Sequence, residues 1–282
     1  MIALIITGVP AHLMNTQPES QSMPVVIMCG GKGTRLREET EFKPKPMVEI
    51  GGYPILWHIM KIYAHHGYTN FILCLGYRGS AIKEYFLNHQ LYTQDFHMDL
   101  SKNTHTVLHP DGIDEFSITF AETGEDTLTA ERLMKVEKYI NGDTFMLTYG
   151  DGVSDVDLQA VHAYHEQQKF AHHTIGTITG IHPKSKYGLV ETNENGIITN
   201  FQEKPQLHDY TNGGFMVLTR DFLPYCKQGE MVEQALIQAS QDGKIALYAH
   251  EGFWHCMDTY KDKEDLEHLW QHSPHWKVWN KS

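Results

Sequence analysis

The chain has 282 residues, 41% hydrophobic and 21% charged. These values exclude intrinsic disorder and suit one large domain or two small ones. Acidic residues outnumber Lys and Arg by 35 to 23, a net charge of −12, which argues against a broad nucleic-acid-binding surface, because phosphate contacts need clustered cations.

Residues 1–14, MIALIITGVPAHLM, are apolar but carry no Lys or Arg, unlike a signal peptide. Either Met23 is the working start or residues 1–22 form a loose N-terminal extension. Residues 23–282 then form one domain. From Pro24 the chain alternates apolar runs with amphipathic stretches. PVVIMC (24–29) reads as a buried strand, and a glycine-rich basic loop follows it. Residues 55–66, with Ile55, Leu56, Ile59, Met60, Ile62 and Tyr63 apolar, suit a helix. NFILCL (70–75) is a second buried strand, and 79–88 suits a short helix with Ile82, Tyr85 and Phe86 inward. This rhythm predicts a mainly parallel sheet covered by helices on both faces.

Residues 90–121 break the rhythm. HMDL, HTVLH and FSITFAE predict an inserted antiparallel meander, with Asp111-Gly112 as a turn. A helix over 128–139 and a strand over 144–148 restore the α/β pattern. A helix over 156–167 follows, then strands near 173–179, 187–192, 196–201 and 213–218. Asn195-Gly196 predicts a two-residue hairpin between the middle pair. Two short helices, strands near 244–249 and 253–257, and a helix over 260–270 complete the chain. The expected fold class is α/β: a Rossmann-like mixed sheet flanked by helices, with the meander inserted and a β-rich second half. No apolar run approaches the ~20 residues of a membrane span, so no membrane partner is expected. Cys29, Cys74, Cys226 and Cys256 form no Cys-x-x-Cys pair and read as reduced thiols of a cytoplasmic protein.

The loop after the first strand is Cys29-Gly30-Gly31-Lys32-Gly33-Thr34-Arg35-Leu36. Glycines let the backbone turn tightly and aim its N–H groups at an anion. Arg35, Arg37, Lys43 and Lys45 crowd the same stretch of an otherwise acidic chain. Cations beside a glycine loop suit a polyphosphate. The spacing is neither the dinucleotide fingerprint nor the Walker A loop.

GGKGTRL followed by KPKPMVEIGGYPILWHIM resembles the start of the sugar-1-phosphate nucleotidyltransferases. The likeness continues through GYRGSAIKEYF (76–86), TYGDGVSDVD (148–157), FQEKP (201–205), NGGFMVL (212–218) and GFWHCMDTYKDKEDLEHLW (252–270). It covers about residues 23–282 and is greatest to the family's cytidylyltransferases. It implies the nucleotide-diphospho-sugar transferase fold, with sugar binding in the second half. The implied reaction transfers the cytidylyl group of CTP to glucose 1-phosphate. It proceeds by in-line attack at the α-phosphorus with Mg²⁺, and pyrophosphate leaves.

The resemblance places the nucleotide on Gly30, Gly31, Gly33, Thr34 and Arg35, with Thr129, Arg132 and Asp151 as further contacts. Arg35 and Lys45 face the reacting phosphates. Asp151 and Asp258 hold the metal, and Mg²⁺ does favour one or two carboxylates together with phosphate oxygens. Lys204 meets the sugar phosphate, and Tyr187, Glu203 and Asn212 surround the sugar. One departure is Ala130-Glu131, where Gly-Gly is expected; a β-carbon and an acid there predict an altered approach of main chain to base. The same chemistry with another sugar phosphate or base (UTP or dTTP) is the near alternative, and a non-catalytic nucleotide-sugar-binding protein is another. Asp155-Val156-Asp157 matches a glycosyltransferase metal motif, but reads better as a helix cap. His162 with His165, and His268 with His272, read as solvent-facing helix residues. The aromatic tail WQHSPHWKVWN is expected to pack on its own domain or on a neighbouring subunit of a homo-oligomer.

Overall fold

The computed structural model describes residues 23–108, 114–185 and 187–280. The extension 1–22 and the Asp111-Gly112 turn lie outside the described residues. In chain order, β1 (Val25–Met28) leads through the glycine loop to α1 (Arg37–Thr40) and a 3₁₀ turn at Lys45–Met47. The small hairpin β2 (Glu49–Ile50) and β3 (Tyr53–Pro54) follows, then α2 (Ile55–His65), β4 (Asn70–Leu75), α3 (Gly79–Leu87) and α4 (His89–Thr93). Next come β5 (Phe96–Asp99), β6 (Thr104–Val107), β7 (Ser117–Glu122), α5 (Thr129–Val136), β8 (Thr144–Tyr149), β9 (Gly152–Ser154) and α6 (Leu158–His172). The second half holds β10 (Gly176–Ile181), β11 (Leu189–Thr192), β12 (Ile198–Gln202), β13 (Thr211–Asn212) and β14 (Met216–Thr219). It ends with α7 (Val232–Gln241), β15 (Ile245–His250), β16 (Trp254–Cys256) and α8 (Tyr260–His272).

The main sheet has eight strands in the order β13-β10-β14-β8-β1-β4-β7, with β15 also paired to β10. β8, β1, β4 and β7 run parallel, and β14 enters antiparallel between β8 and β10. Alternation along the central strands builds two cores. Val25, Ile27, Phe71 and Leu73 pack with α2 and Trp276 on one face. Val26, Met28, Ile72 and Cys74 pack with α5 and α7 on the other. Each such fully buried side chain contributes about 1.5–3 kcal/mol. That is why these strands read as unbroken apolar runs.

One expectation changes. β5 and β6 form the antiparallel hairpin, but FSITFAE does not join it. As β7 it lies parallel to β4, from Asn70↔Ser117 to Leu75↔Glu122. Burial decides this: Ile118 and Phe120 pack against the main core, whereas β5 is exposed along most of its length. The turn between β11 and β12 also differs. It spans residues 193–197, because the Asn193 side chain accepts from the N–H groups of Asn195 and Ile197. That is an Asx turn rather than a two-residue hairpin.

The aromatic tail packs on its own domain: Trp276 is fully buried, beside His58 and Trp270. His165 is not solvent-facing; it is buried, with Nδ1 3.1 Å from Thr177 Oγ1. Among the described residues, no helix is long and apolar enough to cross a membrane. The four cysteines are free thiols.

Candidate active site

The parallel strands β1, β4 and β8 end on one edge of the sheet, where open α/β sheets place ligands. A cleft of about 420 Å³ opens there, within the ~300–1,000 Å³ range of small-molecule sites. It is lined by Gly30, Gly31, Gly33, Thr34, Arg35, Lys45, Thr129, Arg132, Asp151 and Asp258, with Tyr149 and Met231. Segments more than 200 residues apart in sequence thus share one cavity.

The loop's shape follows from its glycines. Gly33 has φ +60°, and a β-carbon there would stand 2.9 Å from Thr40 Cγ2 and 3.0 Å from Lys45 Cβ. Thr40 Oγ1 donates to the carbonyls of Gly33 and Leu36, both at 3.0 Å. A β-carbon on Gly30 would lie 2.2 Å from Arg132 Nη1. The buried Arg132 guanidinium explains that closeness. It donates to the Leu75 carbonyl at 3.0 Å, Thr123 Oγ1 at 2.6 Å, the Gly30 carbonyl at 3.1 Å and the Glu125 carbonyl at 3.2 Å. One side chain from α5 thereby ties together the ends of β1, β4 and β7.

The acidic pair arrives from two directions. Asp151 follows β8. Asp258 follows β16, which pairs antiparallel with β9. A capping box fixes Asp258: the Asp262 carboxylate accepts from the Thr259 N–H at 2.7 Å and from the Asp258 N–H at 3.0 Å. Such a box satisfies the first N–H groups of α8. Between the two acids lies Lys45, its Nζ 2.6 Å from Asp151 Oδ2 and 2.7 Å from Asp258 Oδ1. Its side chain is 13% exposed. Burial works against the ammonium charge, but the two carboxylates outweigh it and its pKa is raised. Arg35, 74% exposed, reaches Asp258 Oδ2 at 3.3 Å.

Asp151, Asp258 and Cys256 each offer a ligand atom, all within 4.8 Å of one another. Two carboxylates are the donor set a hard divalent cation prefers. Burial, reinforced by Asp151, pushes the Cys256 thiol pKa far up, so it stays protonated and adds little to a hard-cation site. The residues present therefore fit a magnesium-type ion.

Other expected residues do not line the cleft, although Asn212 lies beside Tyr149, which does. Asn212 pairs with Gly180 on β10, and its Oδ1 accepts from the Gly214 N–H at 3.0 Å. Glu203 and Lys204 follow β12, 3.9 Å from each other, and Tyr187 precedes β11; all three are solvent-exposed and none lines the cleft. Ala130 is buried, its N–H donating to the Glu230 carbonyl at 3.2 Å. Glu131 pairs with Lys135 at 2.9 Å. Neither Ala130 nor Glu131 lines the cleft. Thr129 Oγ1 accepts from the Val232 N–H at 2.8 Å, joining the starts of α5 and α7. Asp157 caps α6, accepting from the N–H groups of Gln159 and Ala160. Tyr149, which donates to Glu233 Oε1 at 2.6 Å, and Cys256 were not anticipated. Tyr149 stands two residues before Asp151, a signal available in the sequence; Glu233 carries none.

The nucleotidyl transferase family profile matches residues 24–256, and the chain belongs to that family. It is 42% identical to a probable glucose-1-phosphate cytidylyltransferase of Bacillus subtilis, over 91% of this chain and all of that protein. It is 41% identical to the glucose-1-phosphate cytidylyltransferase of Salmonella typhi, with the same coverage. Among solved structures, a UDP-glucose pyrophosphorylase complexed with UDP-glucose superposes with a TM-score of 0.62 at 16% identity, covering 89% of this chain and 98% of that one. That likeness establishes the fold alone.

Proposed function

We propose that the protein transfers the cytidylyl group of CTP to glucose 1-phosphate, giving CDP-glucose and pyrophosphate. Its relatives carry that name over nearly the whole chain. The single observation that supports the chemistry is the convergence of Lys45, Asp151, Asp258 and the glycine loop in one cleft. Nucleotidyl transfer needs two anions brought together and charge neutralised as the α-phosphorus is attacked. The backbone of Gly30, Gly31 and Gly33 cradles the triphosphate. Arg35 and Lys45 offset its charge and that of the departing pyrophosphate. Asp151 and Asp258 would hold Mg²⁺, which when bound would supply Lewis-acid polarisation of phosphoryl oxygens. Lys204, on the exposed segment after β12, receives the sugar phosphate, with Glu203, Tyr187 and Asn212 around the sugar. A phosphate oxygen of the sugar phosphate attacks in line, and no covalent enzyme intermediate forms.

Residues 23–282 form the catalytic domain and 1–22 an extension to it. A cytoplasmic location and a homo-oligomer complete the reading; association is supported by the exposed apolar residues Leu189, Val190, Ile198 and Phe201 on the β11–β12 hairpin. The test incubates the full-length protein with each nucleoside triphosphate and sugar 1-phosphate. Pyrophosphate release should be greatest with CTP and glucose 1-phosphate. Binding of both without release would make it a nucleotide-sugar-binding protein instead. Asp151→Asn should lose most turnover with the fold intact.

A further inference from the structure

Lys45 Nζ lies within hydrogen-bond distance of one oxygen from each acid of the pair, 2.6 Å from Asp151 and 2.7 Å from Asp258. A divalent cation bound by the pair would compete with it for the same two carboxylates. We infer that Lys45 is a built-in placeholder for the metal: it neutralises the carboxylate pair until a metal–nucleotide complex arrives, then releases its charge toward the phosphates. This rests on the reading of Asp151 and Asp258 as the metal's ligands.

Three observations carry it. First, the ammonium and the metal compete for the same two carboxylates. Magnesium-type ions sit about 2.0–2.1 Å from their oxygens, which would bring a doubly charged ion close to the half-buried ammonium that contacts the same two acids. Second, the root of Lys45 is fixed, whereas its head is held only by the two ion pairs, on a stem of rotatable bonds. Pro44 and Pro46 flank it, and its Cβ packs close to Gly33. Pivoting about that root, the flexible four-carbon stem can carry the ammonium toward the glycine loop, which lines the same cleft. Third, local charges balance. Asp151 and Asp258 are offset by Lys45 and Arg35. A bare divalent cation would leave excess positive charge, whereas a metal–triphosphate complex is itself negative and gives the displaced ammonium an anion to meet. Arg35 cannot take the placeholder's part, because among the described residues it reaches Asp258 and not Asp151, and it is largely exposed.

Metal and nucleotide binding are then positively coupled through Lys45, and the coupling is reciprocal. The experiment measures Mn²⁺ binding to the full chain at pH 8 by water-proton relaxation enhancement. That method distinguishes protein-bound Mn²⁺ from free and from nucleotide-bound ion. Wild type, Lys45→Met and Lys45→Arg are compared with and without a non-hydrolysable CTP analogue. Without nucleotide, Lys45→Met should bind Mn²⁺ about tenfold tighter than wild type, and Lys45→Arg should not. The analogue should tighten Mn²⁺ binding strongly in wild type and much less in Lys45→Met. Equal Mn²⁺ affinity of Lys45→Met and wild type without nucleotide overturns the inference. Should Lys45→Met fail to fold, wild type decides: Mn²⁺ affinity unmoved by the analogue overturns it. Asp151→Asn with Asp258→Asn separates the two ideas. If that double variant binds Mn²⁺ with the analogue as well as wild type does, the metal reading itself fails. If it does not, while Lys45→Met binds no tighter, only the placeholder fails.

Discussion

Arg132 Nη2 donates to the carbonyl oxygen of Gly30 at 3.1 Å, so a buried cation from α5 fixes the first residue of the glycine loop. The same guanidinium holds the ends of β4 and β7. It acts as a scaffold for the cleft floor.

Two substitutions test that scaffold. Gly30→Ala would drive a methyl group into the guanidinium, since its β-carbon would stand 2.2 Å from Nη1. Displacing the loop by about 1 Å should lower turnover on the order of 10²-fold with the fold retained. Arg132→Lys keeps the charge but loses the planar fork that serves four acceptors. Buried carbonyls left unpaired should cost about 2–3 kcal/mol, read from urea unfolding.

The cap of α8 positions a site residue. Asp262→Ala removes the acceptor for both the Thr259 and Asp258 N–H groups. Stability should fall by about 1 kcal/mol. Asp258 should also become less well placed, so the Mg²⁺ concentration for half-maximal activity should rise. Unchanged metal dependence would separate the cap from the site.

Acid stability depends on His58. Its Nε2–H donates to the Ile50 carbonyl at 2.8 Å, and Nδ1 accepts from Trp276 Nε1 at 3.3 Å. Burial lowers its pKa to about 4 from 6.5. Between those values the unfolded chain binds more protons than the folded one, so stability rises with pH through that window and is lost on acidification. From pH 7 to pH 5 the wild type should lose about 2 kcal/mol more than His58→Gln does. Urea unfolding at the two pH values reads the difference.

Lys204 is 60% exposed, and its side chain supports little of the fold. Lys204→Ala should raise KM for the sugar phosphate while leaving KM for CTP and the unfolding midpoint almost unmoved, with a stability change within about 0.5 kcal/mol. An unaltered KM for the sugar phosphate would remove Lys204 from the site.

Local signals determined much of this protein. Apolar-rich runs marked β1, β4 and β8, because strands buried on both faces need apolar side chains at most positions. Glycines and neighbouring cations marked the loop that lines the cleft, and Asp157 marked the start of α6, because turns and caps depend on residues a few positions apart. Tertiary structure alone decided the rest. The choice of β7 for the sheet edge beside β4, in place of the β5–β6 hairpin, depended on which apolar face the core could bury. The four bonds of Arg132, and the seat of Lys45 between Asp151 and Asp258, join groups from distant segments. Their meeting follows from the order in which strands assemble side by side, an order set by the packing of whole faces rather than by any neighbouring residue.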